Sequence, residues 1–94
     1  SPGYILAMIA RQVRLLILAK DLKSRRVPTA ELGSRLGLRG YPLRKTLDQE
    51  KPFTVHRLKN IHQKLLDTDI RIKTTGTDER LILDLLVTEI CVAT

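Results

Sequence analysis

Residues 28–47, PTAELGSRLGLRGYPLRKTL, leave the chain few ways to fold. Leu32 and Leu36 are four apart and share one face of a helix. Gly37 follows at once, the residue type that ends a helix in the left-handed conformation at little steric cost. Leu38 is placed to fold back onto that helix, as in a Schellman cap. Beyond Arg39 and Gly40, Leu43 and Leu47 repeat the four-residue spacing. Two amphipathic turns about a glycine corner make a helix-turn-helix pattern. Such a unit either reads DNA or forms a compact corner in a helical bundle.

The flanking segments are helical too. Ser1-Pro2-Gly3 reads as a breaker, and a first helix is expected from about Tyr4 to Lys23. Ile5, Ile9, Val13, Leu16 and Ala19 mark one face, and Met8, Leu15 and Leu22 widen it toward a second neighbour. Lys20 and Lys23 oppose the negative pole of the helix dipole. Pro28 and Glu31 suit the start of the second helix, which ends at Gly37. The third is expected from Tyr41 or Pro42 to about Gln49, stopped by Lys51-Pro52. Thr54 caps the fourth, with Phe53 and Leu58 as its hydrophobic staple. Leu58, Ile61, Leu65 and Ile72 form its buried face, with Leu66 and Ile70 beside it. After Thr74-Thr75-Gly76, Thr77 or Asp78 caps a fifth helix carrying Leu81, Ile82, Leu85, Leu86 and Ile90. No segment alternates with period two long enough for a strand. The expectation is all-α, a compact bundle of about five helices in one domain over residues 1–94.

At 94 residues the chain supports one core. With 43% hydrophobic and 29% charged residues it has the composition of a soluble globular domain. Residues 1–66 hold 14 Lys and Arg against 4 Asp and Glu, whereas residues 67–94 hold 3 against 6. A basic body with an acidic end permits nucleic-acid contact, docking of one part on the other, or a partner of mixed charge. Residues 5–22 are apolar, but Arg11 and Arg14 near their centre argue against a membrane span. Cys91 is a lone thiol, which builds no disulfide framework and suits a reducing cytoplasmic setting.

No catalytic constellation is visible. His56 and His62 are six apart on one helix, on opposite faces, and do not form a chelating pair. Cys91 has no positioned base, the five glycines form no phosphate loop, and the acids lack metal-loop spacing. Aromatics are 3%, namely Tyr4, Tyr41 and Phe53, too few for a stacking platform on single strands. These residues point to a helical binding or assembly module without catalytic residue, cofactor or metal.

Four stretches in order resemble the C-terminal domain of the delta subunit of bacterial DNA polymerase III, a clamp-loader component. They are residues 5–22 with the step Ala10-Arg11-Gln12, residues 30–38 with their LGL ending, residues 41–47 followed by Phe53-Thr54, and residues 65–76. In the last, Asp69, Lys73 and Thr74 match the family pattern, and the leucine-rich residues 80–90 complete the set. Family members often have proline where this chain has Gly40, and here the proline is Pro42. That departure implies a later start or a different angle for the third helix. Thr74 and Thr75 lengthen the usual stop by one residue.

The resemblance implies a non-catalytic collar domain, the C-terminal fragment of a longer cytoplasmic subunit. It would hold the sliding-clamp loader together during DNA replication. Its partners would be the delta-prime and gamma/tau subunits through their own collar domains, with DNA touched indirectly or weakly. The isolated domain would be a monomer. Candidate interface residues are Arg11, Gln12, Arg14, Asp69 and Lys73. The first three otherwise form a solvated stripe, and Asp69 with Lys73 an intrahelical pair. In the alternative reading, a helix-turn-helix DNA-binding domain, Arg39, Arg44 and Lys45 contact phosphates. Gly40-Tyr41-Pro42-Leu43 offers little to read base edges at the start of the third helix.

Overall fold

In a computed structural model, residues 2–75, 84 and 86–88 are described. They form four helices: α1 (Pro2–Ser24), α2 (Thr29–Leu36), α3 (Gly40–Gln49) and α4 (Val55–Thr75). Asp84 and residues 86–88 are helical as well, where the fifth helix is expected. Its expected caps Thr77 and Asp78, its Leu81, Ile82, Leu85 and Ile90, the Gly76 stop and Cys91 lie outside the described residues. No strand occurs among those described, and the fold is all-α.

Helix α1 is the shared wall, with α2, α3 and α4 all packed on it. It buries two stripes. Its N-terminal half lays Leu6 and Val13 against Ile61 and Leu65 of α4 and against Leu86. Its C-terminal half turns Ala19 and Leu22 to Leu32 and Leu36 of α2, with Leu43 and Leu47 of α3 alongside. The start differs from expectation: Pro2 and Gly3 are inside α1, since proline is tolerated in a first helical turn. Leu6, not Ile5, faces the core. Steps of four overshoot a 3.6-residue turn, so Ile5 has drifted off the line of Val13, whereas Leu6, seven residues before Val13, has not. Ile5 and Met8 are exposed.

The corner around Gly37 closes as a full Schellman motif. Gly37 has φ 70°, its N–H donates to Ser34 O at 3.3 Å, and the Leu38 N–H donates to Gly33 O at 2.9 Å. Leu38 packs onto the Leu32 and Leu36 cluster. Helix α3 starts at Gly40, not later, and Gly40 has φ 63°, a value proline cannot adopt. Helix α4 is capped as its sequence implies, with the Arg57 N–H donating to Thr54 Oγ1 at 3.0 Å. Its buried line runs Leu58, Ile61, Leu65 and Thr68, while Leu66 and Ile70 are exposed. The Thr68 hydroxyl is satisfied by donating to Lys64 O at 2.7 Å.

A polar seam ties α1 to α3. The Gln12 amide donates to Thr46 Oγ1 at 3.1 Å and to Gln49 Oε1 at 3.0 Å. Lower down, the Glu50 carboxylate, with only 4% of its side chain exposed, accepts from Lys20 at 2.9 Å and Lys23 at 2.6 Å. Lys23 also donates to Leu47 O at 3.3 Å, one of the carbonyls left open at the end of α3. Burial pushes the Glu50 carboxyl up, but the hydrogen bonds and charges of Lys23 and Lys20 outweigh it, so it lies below the ordinary carboxylate value.

Three substitutions test this packing by equilibrium denaturation. Leu65→Ala, at a side chain 1% exposed, is expected to cost about 2–5 kcal/mol. Gly33→Ala puts a Cβ 2.8 Å from Leu38 O and 3.0 Å from Leu43 Cδ2. Overpacking of that kind costs about 1–3 kcal/mol, enough to outweigh the roughly 1 kcal/mol that alanine gains over glycine in a helix. A Gly33→Ala chain as stable as the parent would contradict the close approach. Glu50→Gln is expected to cost roughly 1–3 kcal/mol at pH 7, less than a fully buried pair because both lysines keep some solvent. The folded carboxyl titrates below the unfolded one, near about 4.3. The stabilisation is therefore complete above that value and is lost as pH falls through the folded one. The gap between parent and variant should be widest at neutral pH and close in acid; a gap constant with pH would refute the ion pair.

Candidate functional site

Helices α1 and α4 lie side by side, and their outer surfaces make a common face. Val55 and Leu18 stand at one end of it and Leu66 at the other, all exposed. None is needed for the core, since α4 already seals it with Ile61 and Leu65. Between them runs a groove of about 240 Å³ lined by Ala7, Ala10, Leu66, Arg14, Asp69 and Lys73. The two alanines make the groove by keeping the α1 wall low. A second hollow continues it past Leu18, Val55 and Lys59.

Three of the five sequence-marked interface residues thus meet at one place. Asp69 and Lys73 form the expected intrahelical pair at 2.8 Å. With Lys73 70% exposed, the pair adds little stability and leaves both groups open to outside partners. Arg14 is exposed opposite them on α1. The other two residues sit elsewhere: Arg11 and Gln12 line a separate groove between α1 and α3 with Lys45 and Gln49. Gln12 spends its amide on Thr46 and Gln49, which makes it an internal strut. Its sequence position on a polar stripe did not reveal this, because the partners are 34 and 37 residues away. The exposed Leu18, Leu66 and Ile70 carried no mark as surface groups either. Their signal is apolar side chains just off the buried line.

The basic residues of the corner are spread over different grooves. Arg39 lines the groove between α2 and α3, Lys45 lines the one between α1 and α3, and Arg44 is exposed. The outward start of α3 presents Gly40, Tyr41 and Pro42, with Tyr41 67% exposed. His56 is exposed and His62 half-buried. Among the described residues, no group of three or more His, Cys, Asp or Glu gathers where a metal could be held. Among them also, no helix is long and apolar enough to cross a membrane.

What the α1–α4 face can do chemically is bind another protein: apolar side chains ringed by charges of both signs suit a protein surface. The DNA polymerase III subunit delta of Bacillus subtilis (strain 168) is 26% identical over 90 residues, covering 96% of this chain and 26% of that protein. The solved structure of the Bacillus subtilis DNA clamp loader delta protein matches with a TM-score of 0.87 at 26% identity, over 96% of this chain and 26% of that one. The chain spans about a quarter of the length of these relatives. With residues 1–90 matching the family described as DNA polymerase III delta subunit, C-terminal domain, the chain belongs to that family.

Proposed function

We propose that this chain is the subunit-assembly, or collar, domain of a DNA polymerase III delta subunit, and that it joins delta to delta-prime and gamma/tau in the cytoplasmic clamp loader. The observation that carries the reading is the α1–α4 face, apolar and unused by the core, in a chain whose residues 1–90 match the delta C-terminal family. In this reading the domain is a single non-catalytic unit of a longer subunit. It works by holding neighbours in place, and it touches DNA weakly if at all.

A ring of unlike subunits is built from heterologous contacts, in which each patch fits a different surface on the next member. Such a patch does not complement itself, so the domain alone is expected to be monomeric. The DNA-reading alternative gains no support, since Arg39 and Lys45 line different grooves and Gly40, Tyr41 and Pro42 open α3.

Size-exclusion chromatography and calorimetry of the domain with the collar domains of delta-prime and gamma/tau test the proposal. A complex is expected from the mixture and a monomer from the domain alone at micromolar concentration. Arg14→Glu should weaken the complex by about 1–3 kcal/mol while leaving helical content unchanged by circular dichroism. Leu66→Asp, at an exposed side chain lining the groove, should weaken it as well. If both variants bind as the parent does, the α1–α4 face is not the interface. If the parent binds no collar domain, the assembly reading falls. A random DNA duplex should bind only at low salt.

A further inference from the structure

A second groove, on the α3 side of α1, has a different character. Met8, Leu15 and Leu22 lie at seven-residue steps and form one stripe along α1. Leu22 is 5% exposed under the α2–α3 corner, Leu15 is half-buried against the same cluster, and Met8 is 54% exposed. Cover therefore stops partway along the stripe. Tyr4, one turn before Met8, is 65% exposed. These two side chains and Ala7 line a groove of about 550 Å³ that α3 closes on its far side.

The charges at this groove are one-sided. Arg11 borders it from α1 and Lys45 from α3, and among the described residues no carboxylate lines it. Neither cation has an ion-pair partner among the described residues, whereas the neighbouring α1–α4 groove carries the Asp69–Lys73 pair. Gln12 and Gln49 line it too, but they are hydrogen-bonded to each other. The rim thus offers two uncompensated positive charges over an apolar wall.

We propose that this groove docks an acidic amphipathic helix of a partner protein, its apolar face on Tyr4 and Met8 and its carboxylates meeting Arg11 and Lys45. A helix is the fitting shape because it would extend the cover that α2 already gives the far end of the same stripe. The open length from Tyr4 to Leu15 is roughly 16 Å at about 1.5 Å per residue, the span of about three helical turns. Helix-in-groove recognition reads such an apolar stripe, and opposite charges at the rim set the choice of partner. A nucleic acid fits less well: its phosphates call for a row of cations, and this groove has two across an apolar wall. The inference does not depend on the assembly reading, because the grooves differ and its test needs no clamp-loader subunit.

The probe is a dye-labelled helical peptide of about 14 residues, three to four turns long, with leucines on one face and glutamates beside them. A second peptide carries lysines in place of the glutamates. Fluorescence anisotropy at physiological ionic strength should show binding of the glutamate peptide and at least tenfold weaker binding of the lysine one. Arg11→Glu combined with Lys45→Glu should weaken the glutamate peptide at least tenfold, and Met8→Asp should do the same. Lys59→Glu, on the α1–α4 side, removes the same kind of charge and should change little. Circular dichroism melts identify any variant that fails to fold, and Arg11→Gln with Lys45→Gln then serves in its place. Equal binding of the two peptides, indifference to Arg11 and Lys45, an equal loss from Lys59→Glu, or no binding overturns the proposal. So does a random DNA duplex that displaces the peptide with comparable affinity, which would make the partner a nucleic acid.

Discussion

The whole domain depends on one helix burying two different stripes. Helix α1 gives Leu6 and Val13 to α4, then Ala19 and Leu22 to the α2–α3 corner. A single heptad stripe could not serve both, because neighbours on different sides need different faces. The buried line therefore migrates around α1 along its length, and Leu16, 6% exposed, lies between the two clusters. This explains why α1 carries apolar residues on so much of its circumference in sequence. It also explains the exposed apolar groups at its N-terminal end. Each stripe is covered over only part of α1, and Met8 and Ile5 are left where cover is missing.

Shape alone would let α3 slide along α1, since leucines make an undirected surface. The polar seam sets the register. Gln12 reaches Thr46 and Gln49, while Lys20 and Lys23 close on Glu50, so the C-terminal end of α3 is pinned along α1. The carboxylate is buried at the position where α3 stops, and each of its oxygens takes one lysine. The lysines remain partly solvated, which keeps the cost of burying charge below that of a fully enclosed pair. Glu50 also anchors the next turn: its carbonyl accepts from the Phe53 N–H at 3.1 Å, just before the Thr54 cap of α4. One residue thus links the end of α3, the wall of α1 and the entry to α4.

The legible parts of this fold were those set by local chemistry. The Gly37 corner, the Leu38 fold-back and the Thr54 cap were readable because each depends on residues within a few positions. Features that depend on distant partners were not. Glu50 follows an ordinary polar run, and nothing near it announces two lysines 30 and 27 residues earlier. Gly33 lay inside a helical pattern with no sign that the Leu38 carbonyl passes 2.8 Å from where its Cβ would be. The end of α1 shows the limit from the other side. It closes by bonds from Val27 N–H to Leu22 O and Arg26 N–H to Lys23 O, with Arg26 at φ 60° where glycine would be usual. A cap without its glycine leaves no sequence mark.

The candidate site was legible to the same extent. Asp69 and Lys73 were found as a helix pair, and Arg14 as a cation on the polar stripe of α1. That they meet across a groove follows from the α1–α4 packing, which sequence spacing does not encode. Arg11, three residues before Arg14, faces the other groove because three steps turn a helix by about 60° less than a full circle. The two arginines therefore flank a ridge, and Ala7, which lines both grooves, is its crest. A side chain as small as alanine there keeps both grooves open at once. One helix edge supplies two surfaces of different chemistry: a face of mixed charge toward α4 and, among the described residues, a cationic one toward α3. Both depend on α1 being wider in apolar surface than its own core requires.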